Sequence, residues 1–342
     1  MSLQLPFNFI SMISEYFPRS HIKVIVAKNY ETNKLIACCF YQIHKKANYG
    51  RILDITVDQN YDSKNLLSDM ISMITELAYE LNENLSGIAY YSKFISKKVY
   101  KKLRVKDFTP TGFSSKSLLT KRPYDSYNGI FFIKFLSNSE ITFKTHKALE
   151  GFLQPLLSQY QVKTNISYQE PESNENSVSI FSESISFDLV FHHEPIKQYS
   201  KNNNEDEKDF LFKRYLFLEP NAFLYSDEIK YGVPLYIEPY NNYGLFLYSS
   251  NDKEFFKKLP ILIYDLEKKG FRNIEVKTYA REIYQINAIL SLGFFPSKFV
   301  PVTYSDGRDF YVISLTKLNP KRALKKLSLP KEIREVKKYL FK

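Results

Sequence analysis

At 342 residues the chain exceeds the size of one ordinary core, so two domains are expected. Its 44% hydrophobic and 16% aromatic content supplies ample core, which argues against a mainly disordered protein. The net charge is +11, and residues 317 to 342 hold ten Lys or Arg against two Glu, so +8 of it lies in the last stretch and the body is near neutral.

The opening "MSLQLPFNFISMISEYFPRS" carries Glu15 and Arg19 inside its apolar pattern and lacks a basic leader, so it does not read as a secretory signal. No run reaches the roughly 18 apolar residues of a membrane helix. A soluble, cytoplasmic protein without a transmembrane segment is the expectation. "HIKVIVAKNYETNKLIACCFYQI" predicts two strands around the turn "NYETNK". Cys38 and Cys39 are neighbours there. Adjacent strand residues point to opposite faces, so a buried structural pair is expected and a disulfide is not. "GRILDITV" predicts a third strand. In the helix that follows, Leu67, Met70, Ile71, Ile74, Leu77, Ala78 and Leu81 recur at helical spacing. A short strand "SGIAYY", a helix through "ISKKVYKKLRV" and the phrase "KDFTPTGF" come next. "SKSLL" and "NGIFFIKFL" read as a closing hairpin.

The later part repeats this order. "YGLFLYSS" is a predicted strand, "NDKEFFKKLPILIYDLEKK" a helix, "RNIEVKTY" a strand and "REIYQINAILSL" a helix. The phrase then returns as "GFFPSKF", and "FVPVTYS" with "RDFYVISL" forms the last hairpin. Both phrases place Phe two positions before Pro, then a hydroxyl residue, then a second Phe. Ile88 and Ile274 keep the same offset from Phe108 and Phe294, so the intervening helix aligns without a gap. A duplicated unit accounts for the repetition.

The element order, the "V-D-x-x-Y" strand end at Val57 to Tyr61 and the late corner together resemble the GNAT acyltransferase superfamily. The end of the chain is similar to tandem-GNAT proteins, through Gly293, Phe294, Phe295, Pro301 and Asp309. The resemblance implies two GNAT-like mixed-sheet α/β domains in tandem, over residues 1–138 and 139–318, followed by a basic helical tail at 319–342. It also implies transfer of an acyl group from acetyl-CoA or another acyl-CoA to a small-molecule or peptide amine held between the domains.

In that family a Q/R-x-x-G-x-G/A loop brings the CoA pyrophosphate to backbone N–H groups at a helix start, where the dipole favours an anion. The corresponding stretch runs from Val57 through Asp62, Ser63, Lys64, Asn65, Leu66 and Leu67. Its length fits, but Ser63 and Asn65 replace the glycines, Leu67 replaces the small residue, and Asp62 adds a negative charge that Lys64 offsets in part. The second copy has 26 positions from Tyr248 to Ile274, against 31 from Val57 to Ile88, and no glycine in its loop; it is expected to be a degenerate copy without cofactor. The resemblance also nominates Asp54 as general base and Tyr91 or Tyr100 as general acid.

His192 and His193 are strand neighbours without partners at ligand spacing, so no metal is expected. No P-loop, G-x-G-x-x-G run or nucleophile elbow is present. Two other readings stay open: a non-catalytic tandem-GNAT scaffold, and an aminoacyl-tRNA-dependent transferase resembling the peptidoglycan-bridge enzymes. The basic stretch 317–342 would suit RNA in the latter, or it is a helix that packs Leu324, Leu327, Ile333 and Leu340 onto the body.

Overall fold

The computed structural model describes residues 22–44, 49–61, 66–81, 85–92, 94–115, 124–136, 140–171, 185–191, 220–238, 242–248, 252–303, 309–319 and 321–340. The first half holds β1 (Ile22–Lys28), β2 (Leu35–His44), β3 (Tyr49–Val57), helix α1 (Leu66–Leu81) and β4 (Gly87–Tyr91). It continues with β5 (Phe94–Ser96), α2 (Lys97–Val105), β6 (Thr109–Phe113), β7 (Ser126–Asn128) and β8 (Ile130–Phe135). β9 (Ile141–His146), α3 (Glu150–Leu157) and β10 (Thr164–Gln169) link it to the second half, and β9 and β10 pair in parallel. The second half holds β11 (Asp188–Val190), β12 (Ala222–Ser226), β13 (Tyr231–Glu238), β14 (Tyr243–Phe246), α4 (Lys253–Lys268), β15 (Asn273–Tyr279) and α5 (Ile283–Ser291). β16 (Phe295–Thr303) and β17 (Asp309–Leu318) complete it, and the chain ends in 3₁₀ turns and α6 (Arg334–Tyr339).

The predicted periodicities form as expected. Met70, Ile71, Ile74 and Ala78 bury one stripe of α1, and α2 starts where the Ser96 side chain accepts the Val99 N–H at 3.2 Å. Cys38 and Cys39 are both buried and unbridged. Among the described residues thirteen strands make one sheet, in the order β1-β2-β3-β4-β8-β6-β16-β17-β15-β14-β13-β12-β11. Read outward from its middle, the two directions match. β6-β8-β4-β3-β2-β1 on one side answers β16-β17-β15-β14-β13-β12 on the other. In each, one parallel pair (β3 with β4, β14 with β15) sits among antiparallel neighbours. α1 and α4 bridge the parallel pairs, while α2 and α5 lead into β6 and β16.

The twice-written phrase supplies the middle of the sheet. β6 and β16 meet at the pair Lys298 with Gly112, which are the same position of the phrase. Each strand also slips register at the same place, between Pro110 and Gly112 and between Pro296 and Lys298. Gly112 makes the seam possible. Its φ is +146°, and a Cβ there would lie 2.3 Å from the Ser297 carbonyl oxygen.

Two expectations change. β8 pairs with β6 and β4 rather than with "SKSLL", because the phrase is itself the neighbouring strand; residues 116–123 lie outside the described residues. The two halves also share one sheet, and the expected boundary at 138 falls outside the described residues. The end of the chain packs on the body. Leu324, Leu327, Leu329, Ile333 and Val336 are buried, Leu340 is partly so, and Gly151 of α3 leaves room for the Tyr339 ring. Among the described residues no helix is long and apolar enough to cross a membrane.

Candidate active site

β3 and β4 pair in parallel only from Tyr49 with Gly87 to Ile52 with Tyr90. β3 then runs on through Val57, and Leu53–Val57 have no strand partner on the β4 side among the described residues. All five are half-buried. The sheet is therefore notched at the carboxyl ends of its parallel strands, with the start of α1 above, the place where open α/β sheets take ligands. Leu66 and Leu67 open α1 and pack in part against the core. Asp62, Ser63, Lys64 and Asn65, the expected pyrophosphate loop, lie outside the described residues.

The second half has the same notch, and it is filled. β14 pairs β15 from Tyr243 with Asn273 to Leu245 with Glu275, and the chain beyond turns Tyr248 inward. The Tyr248 hydroxyl donates to the Lys277 carbonyl, and its ring stacks on Phe255 at 3.9 Å between centroids, with Phe256 edge-on at 5.3 Å. The start of α4 is closed as well. Asp252 caps it, accepting the Glu254 N–H at 3.1 Å and the Phe255 N–H at 3.0 Å, and takes the Tyr231 hydroxyl at 2.8 Å. A carboxylate of the chain thus sits where an anionic ligand would bind.

Asp54 stands on β3 beside the register slip that separates Phe40–Asp54 from Tyr41–Ile52. The slip gives it a neighbour's N–H: its Oδ1 accepts from Ile55 at 2.8 Å. Burial pushes its carboxyl above the usual range, and that hydrogen bond offsets the effect in part. Its charge acts on Cys38, Cys39 and Tyr90, and burial is the larger cause that pushes each of these three groups up.

Tyr91 reaches the seam of the sheet. Strand registers place Tyr91, Phe131, Gly112, Lys298, Ser314 and Lys277 in one row across six strands, and residues in register share a face. Burial pushes the Tyr91 phenol well up. A hydrogen bond with Ser114 and the Arg51 guanidinium lower it, and Glu238 and Glu275 raise it. Tyr100 is elsewhere. Its ring packs on Tyr127 and Phe132, and its hydroxyl donates to Glu332 under the end of the chain at 3.3 Å. The structure does not bring it to the notch.

Charged residues that the sequence reading passed over stand in or beside this row. Glu275, fully buried, takes the Lys298 ammonium at 2.7 Å and the Tyr243 hydroxyl at 2.8 Å. Burial pushes the Glu275 carboxyl up, and Lys298 with Lys277 more than offsets this, leaving it below the usual range. Lys277 is fully buried, which drives its ammonium well below the ordinary value. The alternation Glu275, Lys277 in a strand set among apolar runs was the available signal. Among the described residues no group of His, Cys, Asp and Glu could hold a metal ion.

No family model matches the chain, and no curated protein matches it in sequence. Solved structures give partial likenesses. The ribosomal-protein-S5-alanine acetyltransferase from Vibrio fischeri is 17% identical with a TM-score of 0.30, over 37% of this chain and 69% of that one. A Bacillus anthracis protein described as a streptothricin acetyltransferase, in complex with acetyl coenzyme A, is 22% identical with a TM-score of 0.29, over 39% and 70%. A spermidine N-acetyltransferase chimera that is part Vibrio cholerae sequence is 11% identical with a TM-score of 0.31, over 39% and 81%. By its order of strands and helices, this chain carries a divergent GNAT-like fold.

Proposed function

We propose that the chain is a tandem-GNAT N-acyltransferase that takes its acyl-CoA donor in the notch between β3 and β4. The acceptor amine would lie beside the seam between the halves. One observation carries this reading: the first notch is unpaired and half-buried, while its counterpart is packed with Tyr248, Phe255 and Phe256. The donor, when bound, supplies an acyl thioester. Backbone groups of Leu53–Val57 would hold it, with the start of α1 at its phosphates. The Asp54 carboxylate, made more basic by burial, takes a proton from the acceptor ammonium. The Tyr91 hydroxyl returns a proton on the leaving side. The second half is then a copy without donor, serving as the far wall of the acceptor site.

Calorimetric titration with acetyl-CoA tests the reading. Saturable binding is expected for the wild type. Ser63→Gly with Asn65→Gly should strengthen it or leave it unchanged, since glycine lets the pyrophosphate approach. Leu67→Trp should weaken it more than about tenfold if α1 faces the ligand as a helix start should. No heat at millimolar ligand would sink the acyl-CoA reading and leave the scaffold or aminoacyl-tRNA readings.

The end of the chain supports a second partner. Its apolar residues are buried while Lys325, Lys326, Lys331, Arg334 and Lys338 are exposed, so one stretch both packs and presents charge. We propose that this surface contacts RNA. Reversing Lys325, Lys326 and Lys331 to Glu should leave the fold intact and flatten the salt dependence of RNA retention. Retention unchanged by the reversal would overturn the proposal.

A further inference from the structure

Tyr91 lies in the first half, yet part of what holds its surroundings comes from the second. Its hydroxyl is hydrogen-bonded with Ser114, the first residue after β6. Ser114 is buried, and its own N–H is fixed on the Gly129 carbonyl at 2.8 Å. The next residue, Ser115, donates its hydroxyl across the seam to Asn273 Oδ1 at 2.8 Å, and both side chains are almost wholly buried. Asn273 opens β15. Its N–H bonds to the Asn242 carbonyl at 3.1 Å, and it stands in register with Tyr243. Tyr243 in turn donates to Glu275, which Lys298 of the seam strand holds. Ser114, Ser115, Asn273, Tyr243, Glu275 and Lys298 are all buried, so the bonds among them are protected from exchange with water and a lost partner is costly.

We infer that Asn273 is a positioning residue for Tyr91, acting across the seam through Ser115 and Ser114. The physical reason is continuity. Ser114 and Ser115 share a peptide unit, so the Ser115–Asn273 bond, by tethering residue 115, restrains the backbone torsions on either side of that unit and with them the place of Ser114. Asn273 itself cannot follow, because β15 is paired on both sides with β14 and β17. The arrangement gives the second half a role although its own notch is filled: it helps fix a tyrosine of the first half. The inference rests on the proposed function only where it assigns Tyr91 a proton to deliver; the geometry stands without it.

The test uses the full chain labelled at the tyrosine ring carbons, with the Tyr91 line assigned by Tyr91→Phe. Asn273→Ala and, as the milder change, Ser115→Ala should both shift or broaden the Tyr91 line. Thr278→Val is the control. It removes another side-chain hydrogen bond of β15, the part-buried one to Gln285 at 2.6 Å, and should leave the Tyr91 line in place. Acetyl-CoA affinity should stay within about twofold in all three variants, because none of them borders the notch. A Tyr91 line unmoved by Ser115→Ala in a folded protein overturns the inference, as does a line moved equally by Thr278→Val. If wild type binds no acetyl-CoA while the Tyr91 line responds as expected, the donor reading fails and the positioning role stands.

Discussion

Gly50 pairs Ile88 in the first half, and Gly244 pairs Ile274 in the second, so the two parallel registers can be laid one on the other. Four residues further on, the first half has Asp54, half-buried and bonded to its own neighbour's N–H. At the same count the second half has Tyr248, fully buried, stacked on Phe255 and bonded to the Lys277 carbonyl. The comparison separates two uses of one corner. An aromatic ring there satisfies the backbone of the splayed strand and adds apolar burial worth about 2–3 kcal/mol. A carboxylate there leaves the strand edge unpaired and is itself destabilised by burial. The first half gives up stability at the position where the second half gains it.

Tyr248→Ala should break that difference most. It removes a stacked ring from a dry core and leaves the Lys277 carbonyl without that donor, at a cost of about 3–5 kcal/mol in chemical denaturation. It should gain no affinity for acetyl-CoA, because Asp252 still caps α4. Glu275→Ala should cost a similar amount, about 3–5 kcal/mol, by leaving Lys298 buried without its carboxylate. The pair Glu275→Leu with Lys298→Met should recover most of that loss; no recovery would mean that packing, not charge, dominates the seam. Gly112→Ala should destabilise by about 2–4 kcal/mol, since φ is +146° and the Ser297 carbonyl blocks the new methyl. Lys298→Ala at the matching position of the phrase tests the asymmetry, because there the loss is electrostatic.

Asp54→Asn should have the smallest effect, and its sign is the useful part. The folded carboxyl titrates above its unfolded value, so the folded state holds the proton more tightly. Its contribution is most favourable below the ordinary carboxylate range near pH ~4 and is lost as pH rises through the raised value. The variant should therefore match wild type in acid and be slightly more stable at neutral pH. Equal stability at both would remove Asp54 from the candidate site.

Much of this was legible in the sequence because it rests on local patterns. The alternation in "IKVIVAK", the helical stripe of α1 and the repeated Phe-x-Pro phrase each reflect short-range geometry. The placement of Tyr100 was not legible, since its partner Glu332 is 232 positions away. The same holds for the seam cluster. Glu275 and Lys277 read locally like a wet strand face, and only the fold shows both fully buried, with Lys298 of β16 and Tyr243 of β14 on the Glu275 carboxylate. The filled second notch was half legible: the shortened, glycine-free loop set the second half apart from the first, but did not show that Tyr248 packs there.

The most direct measurement is the stoichiometry of acetyl-CoA binding by calorimetry in wild type and in Asp54→Tyr, which writes the residue of the closed notch into the open one. One site per chain in wild type, lost in a folded Asp54→Tyr protein, is the expected result. Two sites per chain, or a single site indifferent to Tyr at 54, would contradict an open first notch paired with a closed second.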